Sequence, residues 1–337
     1  METTTKPRKP RRKGSICGDK SPTVSALPDV CADETLAVEF VERQRWGNSP
    51  CCPRCGDTNV RKMLAADGSR NKRYLWRCGG CRKQYTVRIN SVYEDSRIPM
   101  RFWVFAFWSA CTHKKGVSAL QIKRQTGLNY RSALFLMNRI RHAMTPTDQP
   151  PPFGGIVEVD EVYIGGRATR AEARANKAKG VVLRGPKDKT PVLAVVERGG
   201  SVRTNVVASV TGANLGDFIR TNVASGTLVC TDALKTYRVA VPYACQHGIV
   251  RHDVGRYVDF DDRRIHTNSV EGFFNLFRKR IDGTHHSVSR VHLHRYASEA
   301  AFVYSARGVD DGERTIMAIR GASGKRLTYK QSCVRIA

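Results

Sequence analysis

The sequence predicts a multidomain chain: a small cysteine-knuckle module, a helical region, and an α/β domain built on a mixed sheet. Three observations predict it. Two CxxC pairs lie within residues 33–92, residues 93–145 carry helical periodicity, and strand-like alternation begins after the proline-rich stretch "TPTDQPPPFGG".

Residues 1–32 mix Lys, Arg, Pro, Ser and Thr without apolar periodicity, which predicts a disordered basic tail. Its plain role is to solubilise, and its sharper one is non-specific contact with phosphates. The stretch Asp33 to Trp46 reads as one short amphipathic helix ahead of the cysteines. Then Cys52-x2-Cys55 and Cys78-x2-Cys81, each beside a Gly-containing turn, are separated by 22 residues. Tight turns of this kind point two thiolates at one ion, and two of them complete tetrahedral S4 coordination. One structural Zn2+ is expected, because four thiolates leave no position open for water. Cys51 is a rival to Cys52, but the Cys-Pro-Arg-Cys-Gly order favours Cys52. So small a segment should draw much of its stability from the metal. Tyr74, Trp76, Arg77, Arg82, Lys83 and Tyr85 give it an aromatic and basic surface suited to DNA. A ribbon that only packs is the alternative.

Within 93–145, Pro99 fits the first position of a helix, and "RFWVFAFWSAC" is apolar nearly all round, hence buried. "VSALQIKRQTGLNYRSALFLMNRIRHAM" gives a short helix, a turn at Gly127 and a longer helix. Ala133, Leu136, Met137 and Ile140 line one face of the longer helix, while Arg131, Asn138, Arg139 and Arg141 lie elsewhere around it. The pattern resembles a helix-turn-helix, whose second helix enters the major groove; a helical linker would look similar. Residues 146–155 form a linker with four prolines and two glycines.

"GGIVEVDEVYIGGR" is a strand bounded by glycines. Alternation across the pleat puts Glu158, Asp160 and Val162 on one face and Val157, Val159, Glu161 and Tyr163 on the other. Acids within an apolar strand are costly unless something pairs with them. Strands follow at "TPVLAVVERGG" and "SVRTNVVASV", then a helix at "ANLGDFIRTNV", then a buried strand "GTLVCTDAL" ending at Asp232. Three strands, a helix, and a strand with an acid at its end suggest a ribonuclease H-like fold over 156–307, with residues 308–337 left as a C-terminal tail. Further on, Thr267 or Ser269 can cap a helix whose Val270, Phe273, Phe274, Phe277 and Ile281 form an apolar stripe. Glu271, Asn275 and Arg278 fall on another face, with Asn268 one turn before them. A helix in this place is where such a fold keeps a third acid.

Charge bounds the partners. With 57 Lys+Arg against 30 Asp+Glu the chain carries +27, an excess usually tolerated because a polyanion neutralises it. Nucleic acid is the expected partner. No apolar run is long enough to cross a bilayer, no secretory h-region follows the basic start, and eleven unevenly spread cysteines fit a reduced cytoplasmic chain better than a disulfide framework. Three carboxylates converging in so basic a protein would repel each other unless divalent cations lay between them. Oxygen ligands select Mg2+ or Mn2+, and two such ions suit in-line attack on a phosphodiester. Glu158 and Glu161 are the obvious rivals to Asp160: Glu158 shares its face, and Glu161 is expected to meet solvent or an arginine. The histidines, His247, His252, His266, His285 and His286, are spread out and read as hydrogen-bonded or DNA-proximal residues rather than a second metal site.

From about Glu34 to Arg307 the chain resembles a bacterial insertion-sequence transposase of the ISXO type, a DDE enzyme with an N-terminal zinc ribbon. The resemblance rests on "RWGNSPCCPRCG", "YLWRCGGCRKQYTV", "KKGVSALQIKRQTG", "VEVDEVYIGGR", "TDALKTYR", "HGIVRH", "HTNSVEGFFNLFRKRIDGTHH" and "VHLHRYASEAAFVYSAR", in that order. It implies that Asp160 and Asp232 are the first two catalytic aspartates, holding two Mg2+ ions with a third residue. For that third position the chain offers Asn268 and Glu271; Glu271 is favoured, since an ionised carboxylate binds metal far better than an amide. The family pattern has a lysine seven residues after the glutamate, where this chain has Arg278 followed by Lys279. Either can grip terminal DNA phosphates, with Arg131, Arg139, Arg82 and Lys83 as further DNA contacts. The resemblance also implies cleavage at element ends, transfer of 3'-hydroxyls to target DNA, recognition of terminal inverted repeats, and a homodimer or higher multimer on DNA in the cytoplasm. A domesticated, non-catalytic DNA-binding protein and a plain nuclease of the same fold are the alternatives.

Overall fold

The computed structural model of the chain describes residues 21–165, 189–251, 258–259 and 262–333. The first twenty residues of the expected basic tail, and His252, lie outside the described residues. The described remainder of that tail is helical: α1 (Pro22–Ala32) buries Leu27 and Val30. It leads into α2 (Glu34–Trp46), capped by the Asp33 carboxylate on the Leu36 N–H at 2.8 Å.

The ribbon follows as three short antiparallel strands, β1 (Val60–Lys62), β2 (Trp76–Cys78) and β3 (Gln84–Tyr85), paired in that order. Its small core is Trp76 and Tyr85 packed on Trp46 of α2, with edge-on ring contacts at 5.5 and 6.0 Å. The buried Glu42 carboxylate fastens α2 to the ribbon, accepting from Trp76 Nε1 at 2.6 Å and Arg70 Nη2 at 2.7 Å. Trp76 and Tyr85 are therefore core residues, at 5% and 2% exposure, and not the DNA-facing aromatics expected from composition.

The helical region centres on α3 (Met100–Thr112), sunk in a core with α4 (Ala119–Thr126) and α5 (Tyr130–Met144). Pro99 sits at the cap position, one residue earlier than expected, and the first turn of α3 is capped from a distance. The Glu34 carboxylate accepts from Met100 N at 2.7 Å and Arg101 N at 3.0 Å. Between α4 and α5 the chain turns at Gly127 with φ +73°, a left-handed conformation that glycine adopts without steric cost.

The α/β domain holds a five-stranded sheet. Its strands are β4 (Ile156–Gly165), β5 (Lys189–Glu197), β6 (Val202–Val206), β7 (Leu228–Asp232) and β8 (Gln246–Val250), in the order β6-β5-β4-β7-β8. β4, β5 and β6 pair antiparallel, while β4–β7 and β7–β8 are parallel. On one face lie α6 (Gly212–Asn222) and α7 (Lys235–Ala240), packed on Val157, Val159 and Val195. On the other lie α8 (Asn268–Arg280) and α9 (Leu293–Ser305), packed on Val162, Ala194 and Val196. This mixed sheet between helical layers is the ribonuclease H-like architecture expected. The stripe of α8 docks as its periodicity requires: Val270, Phe273, Phe274 and Phe277 are buried, each contributing about 1.5–3 kcal/mol of apolar burial.

The segment 308–337 is not a tail where it is described. It forms α10 (Asp311–Arg320), whose Ala318 and Ile319 enter the core of the helical region, and the short α11 (Tyr329–Cys333). The helical region and the α/β domain meet at a buried ion triad. Glu299 of α9 accepts from Arg141 Nε of α5 at 2.7 Å and from Arg280 Nη1, at the end of α8, at 3.2 Å. Arg141 also lies over the Tyr296 ring, 3.9 Å from its centroid. Gly116 passes so close that a Cβ there would stand 3.2 Å from Arg280 Nη1.

Candidate active site and metal centre

Alternation along β4 is as the sequence requires, with Asp160 turned to the α8 face in the middle of the strand. The parallel pairing of β4 with β7 runs Ile156 to Leu228, Val157 to Val229 and Glu158 to Cys230. That register, continued two residues past the last pair, puts Asp160 level with Asp232. Hydrogen bonding between the strands stops just before the two aspartates, so the sheet parts where the acids stand. Ligands of open α/β sheets favour such a crevice at strand ends.

α8 closes the crevice. Asp160, Asp232, Thr267, Glu271, Phe274, Asn275 and Arg278 line a cavity of about 280 Å³. Glu271 thus shares a cavity with both aspartates; Asn268, the other candidate for the third position, is exposed and outside that lining. Thr267 Oγ1 donates to Glu271 Oε1 at 2.8 Å, and Leu234 N donates to Asp232 Oδ1 at 3.0 Å. Burial, followed by the charge of Glu161, pushes the Asp160 carboxyl up to about 8, with Asp232 and Glu271 adding to the rise. A crowd of acids that one proton relieves is relieved better by a divalent cation. The donor set is all oxygen, as Mg2+ or Mn2+ prefers. A larger cavity of about 530 Å³ lies between residues 146–149 and α6, but its Asp217 is exposed and paired with Arg220.

The rivals of Asp160 are otherwise engaged. Glu161 keeps partial contact with solvent, as expected, and is held by the buried Tyr237 hydroxyl of α7, from which it accepts at 2.6 Å. Burial raises its pKa, and the Tyr237 hydrogen bond opposes the rise. Glu158 is wholly buried and accepts from Ser269 N at 2.6 Å and Val270 N at 3.0 Å. It supplies the cap that Thr267 and Ser269 were expected to give α8; the Thr267 side chain makes no cap hydrogen bond. The sequence carried a signal for this, an acid in an apolar strand that needed partners, but not which partners.

The four predicted thiolates gather as expected. Cys52, Cys55, Cys78 and Cys81 place their sulfurs within 4.8 Å of one another. Cys52 to Cys81 is 3.7 Å and Cys55 to Cys78 is 3.5 Å, against about 3.8 Å for a tetrahedron with 2.3 Å Zn–S bonds. Cys51 is not in the set. Among the described residues no other group of three or more His, Cys, Asp or Glu is gathered so closely. His247 instead bonds Thr231 at 2.8 Å, and His285 lies edge-on to Tyr296.

Of the predicted DNA contacts, Arg278 lines the acid cavity, and Lys279, Arg131, Arg82 and Lys83 are exposed. Arg139 is not available. It is 6% exposed, with its guanidinium donating to Leu327 O at 3.0 Å, Val92 O at 3.0 Å and Glu94 O at 2.8 Å. Chain beyond α10, read from the sequence as a tail, covers that side of α5. Asn138 and Arg141 are buried as well, so only the first turns of α5 remain open to a groove.

Comparison with known proteins places the two modules in known families. Residues 152–305 match the ISXO2-like transposase domain, and residues 32–84 match the transposase zinc-ribbon domain. The two matches together identify a transposase zinc ribbon followed by an ISXO2-like transposase domain in this chain. A relative in Halobacterium salinarum, described as an uncharacterized protein in transposable element ISH50, is 26% identical over 273 residues, covering 78% of this chain and 88% of the relative. A chain from the cryoEM structure of the simian T-cell lymphotropic virus intasome in complex with PP2A regulatory subunit B56 gamma overlaps with a TM-score of 0.26 and 11% identity. The overlap covers 55% of this chain and less than two thirds of that one, 63%. No helix among the described residues is long and apolar enough to cross a membrane.

Proposed function

We propose that this transposase cleaves phosphodiester bonds at the ends of an insertion sequence and transfers the freed 3'-hydroxyls to target DNA. The single observation that carries the proposal is the cavity shared by Asp160, Asp232, Glu271 and Arg278. In this reading Asp160, Asp232 and Glu271 hold two Mg2+ or Mn2+ ions. When bound, such ions supply an activated water or 3'-hydroxyl and stabilise the leaving oxygen. Arg278 offers the phosphate a planar, bidentate donor, which a lysine at the same position would not. Tyr237 holds Glu161 back from the crevice, leaving Asp160 as the acid of that strand that faces the metals. Phe274 forms an apolar wall of the cavity and limits water beside the reacting phosphate.

The net charge of +27 supports DNA as the partner. The exposed Arg82 and Lys83 of the ribbon, with Arg131 at the start of α5, are the proposed readers of the terminal inverted repeats. A homodimer or higher multimer would assemble on paired ends, in the cytoplasm. The test uses duplexes taken from either side of the coding sequence. Wild-type protein should nick them in Mg2+, and Asp160→Asn and Asp232→Asn should each remove the nicking. Intact cleavage by both variants would end the proposal.

A further inference from the structure

We infer that Glu158 is a positioning residue: its buried carboxylate sets where Glu271 stands relative to Asp160. The inference rests on the proposed metal-binding role of those acids and adds a residue that is not itself a ligand.

A helix begins with orphan N–H groups and the positive end of its dipole. In α8 these are not met by the cap residue, since the Thr267 hydroxyl bonds Glu271 instead. They are met from another element. Glu158 Oε2 takes the N–H groups of Ser269 and Val270, at 2.6 and 3.0 Å, while Oε1 takes the Ser269 hydroxyl at 3.0 Å. On the strand side, Arg198 donates to Oε1 through Nε at 3.0 Å and Nη2 at 2.8 Å. Arg198 is itself fixed by the carbonyls of Arg264 at 2.7 Å and His266 at 3.2 Å. His266 Nδ1 lies 3.2 Å from both Arg198 Nη2 and Glu158 Oε1.

The consequence is geometric. Glu158 is two residues from Asp160 on the same face of β4, roughly 7 Å along the strand. Val270, which it holds, directly precedes Glu271. This one carboxylate therefore ties the strand that carries the first acid to the first turn of the helix that carries the third. Glu158 is fully buried and outside the cavity lining, and its oxygens are occupied, so it does not reach a cation. An amide at this position would keep an acceptor but turn an NH2 group toward N–H donors or Arg198. The first turn of α8 would shift, and Glu271 with it, while the phenylalanine stripe held the rest of the helix. Displacing a group that orients a metal ligand typically costs tenfold or more in metal affinity.

The test is Mn2+ binding by the zinc-loaded full-length chain, read from the EPR signal of free Mn2+, with melting temperature and zinc content measured alongside. Glu158→Gln should raise the Mn2+ Kd about tenfold while zinc content stays at one per chain. Phe277→Leu, which loosens the same helix far from its first turn, should lower the melting temperature yet leave the Kd within about twofold. Ser269→Ala deletes one bond to Glu158 and should give a smaller rise, so the inference stays testable should Glu158→Gln not fold. An unchanged Kd in Glu158→Gln, or an equal rise in Phe277→Leu, would overturn it. Asp160→Asn separates the two levels: wild-type Mn2+ binding by that variant would sink the metal-site reading itself.

Discussion

The ion triad between the two halves of the molecule gives a prediction with a worked size. Arg141, Glu299 and Arg280 have side chains only 1%, 2% and 5% exposed. Replacing Glu299 by Leu would leave two guanidinium groups buried side by side without a counter-charge. Removing one partner of a buried pair costs about 3–5 kcal/mol, because the charge left behind stays desolvated. At roughly 2–4 °C per kcal/mol for a unit of this size, the melting temperature should fall by about 10 °C. Converting Arg141 to Met and Arg280 to Leu in the same chain should recover most of the loss, since an apolar cluster needs no counter-ions. Burial pushes the Glu299 carboxyl up, but Arg141 and Arg280 outweigh it and hold it below the ordinary value. A depressed carboxyl contributes stability above its unfolded pKa of about 4.5 and loses it as pH falls through the folded value. The gap between wild type and Glu299→Leu should therefore narrow in acid. Thermal unfolding followed by circular dichroism at pH 7 and pH 3.5, with zinc present, reads both effects. A Glu299→Leu variant that melts within 2 °C of wild type at pH 7 would refute the reasoning.

Asp160 is an acid with its pKa raised to about 8, so without divalent ions the native state holds a proton that the unfolded chain has lost, and stability should fall as pH rises from about 4 through 8. Asp160→Asn should flatten that fall and melt above wild type at pH 8.5; a steeper fall in the variant would show the sign is wrong. Changing Cys52 and Cys78 to Ser together should release about one zinc per chain, by atomic absorption, and unchanged metal content would rule out the thiolate site. Arg278→Ala should weaken DNA binding across sequences and reduce the salt slope by about one unit. Arg139→Ala should instead lower the melting temperature, and a changed salt slope in that variant would contradict its buried placement.

Much of the site was legible because period and spacing are local properties. The alternation of β4 sets Asp160 on one face whatever packs there, and the strand order needs only the succession of elements. Cys52 was preferred to Cys51 because the Cys-Pro-Arg-Cys-Gly order marks the knuckle turn. The α8 stripe announced its burial through three phenylalanines at helical spacing. What failed depended on distant chain. Arg139 looked free because nothing near it in sequence reveals that Leu327 and Val92 offer carbonyls to its guanidinium. Trp76 and Tyr85 looked like DNA contacts because Trp46, which buries them, belongs to the preceding helix. Glu158 and Glu161 could be read as costly acids, but their partners Val270 and Tyr237 lie 112 and 76 residues away; Glu299 gave no sign, its partner Arg141 being 158 residues distant. The same distance hides which residue caps α8, where Thr267 and Ser269 look sufficient by themselves.

The central claim is that Asp160, Asp232 and Glu271 act together on DNA, and joining of a precleaved end tests it most directly. A duplex ending in a free 3'-hydroxyl, cut from the border of the element, is incubated with plasmid target and Mg2+, and joined product is counted. Asp160→Asn, Asp232→Asn and Glu271→Gln should each lower joining by more than about a hundredfold, while Asn268→Ala should stay within a few-fold of wild type. Loss of joining in Asn268→Ala with full activity in Glu271→Gln would contradict the account.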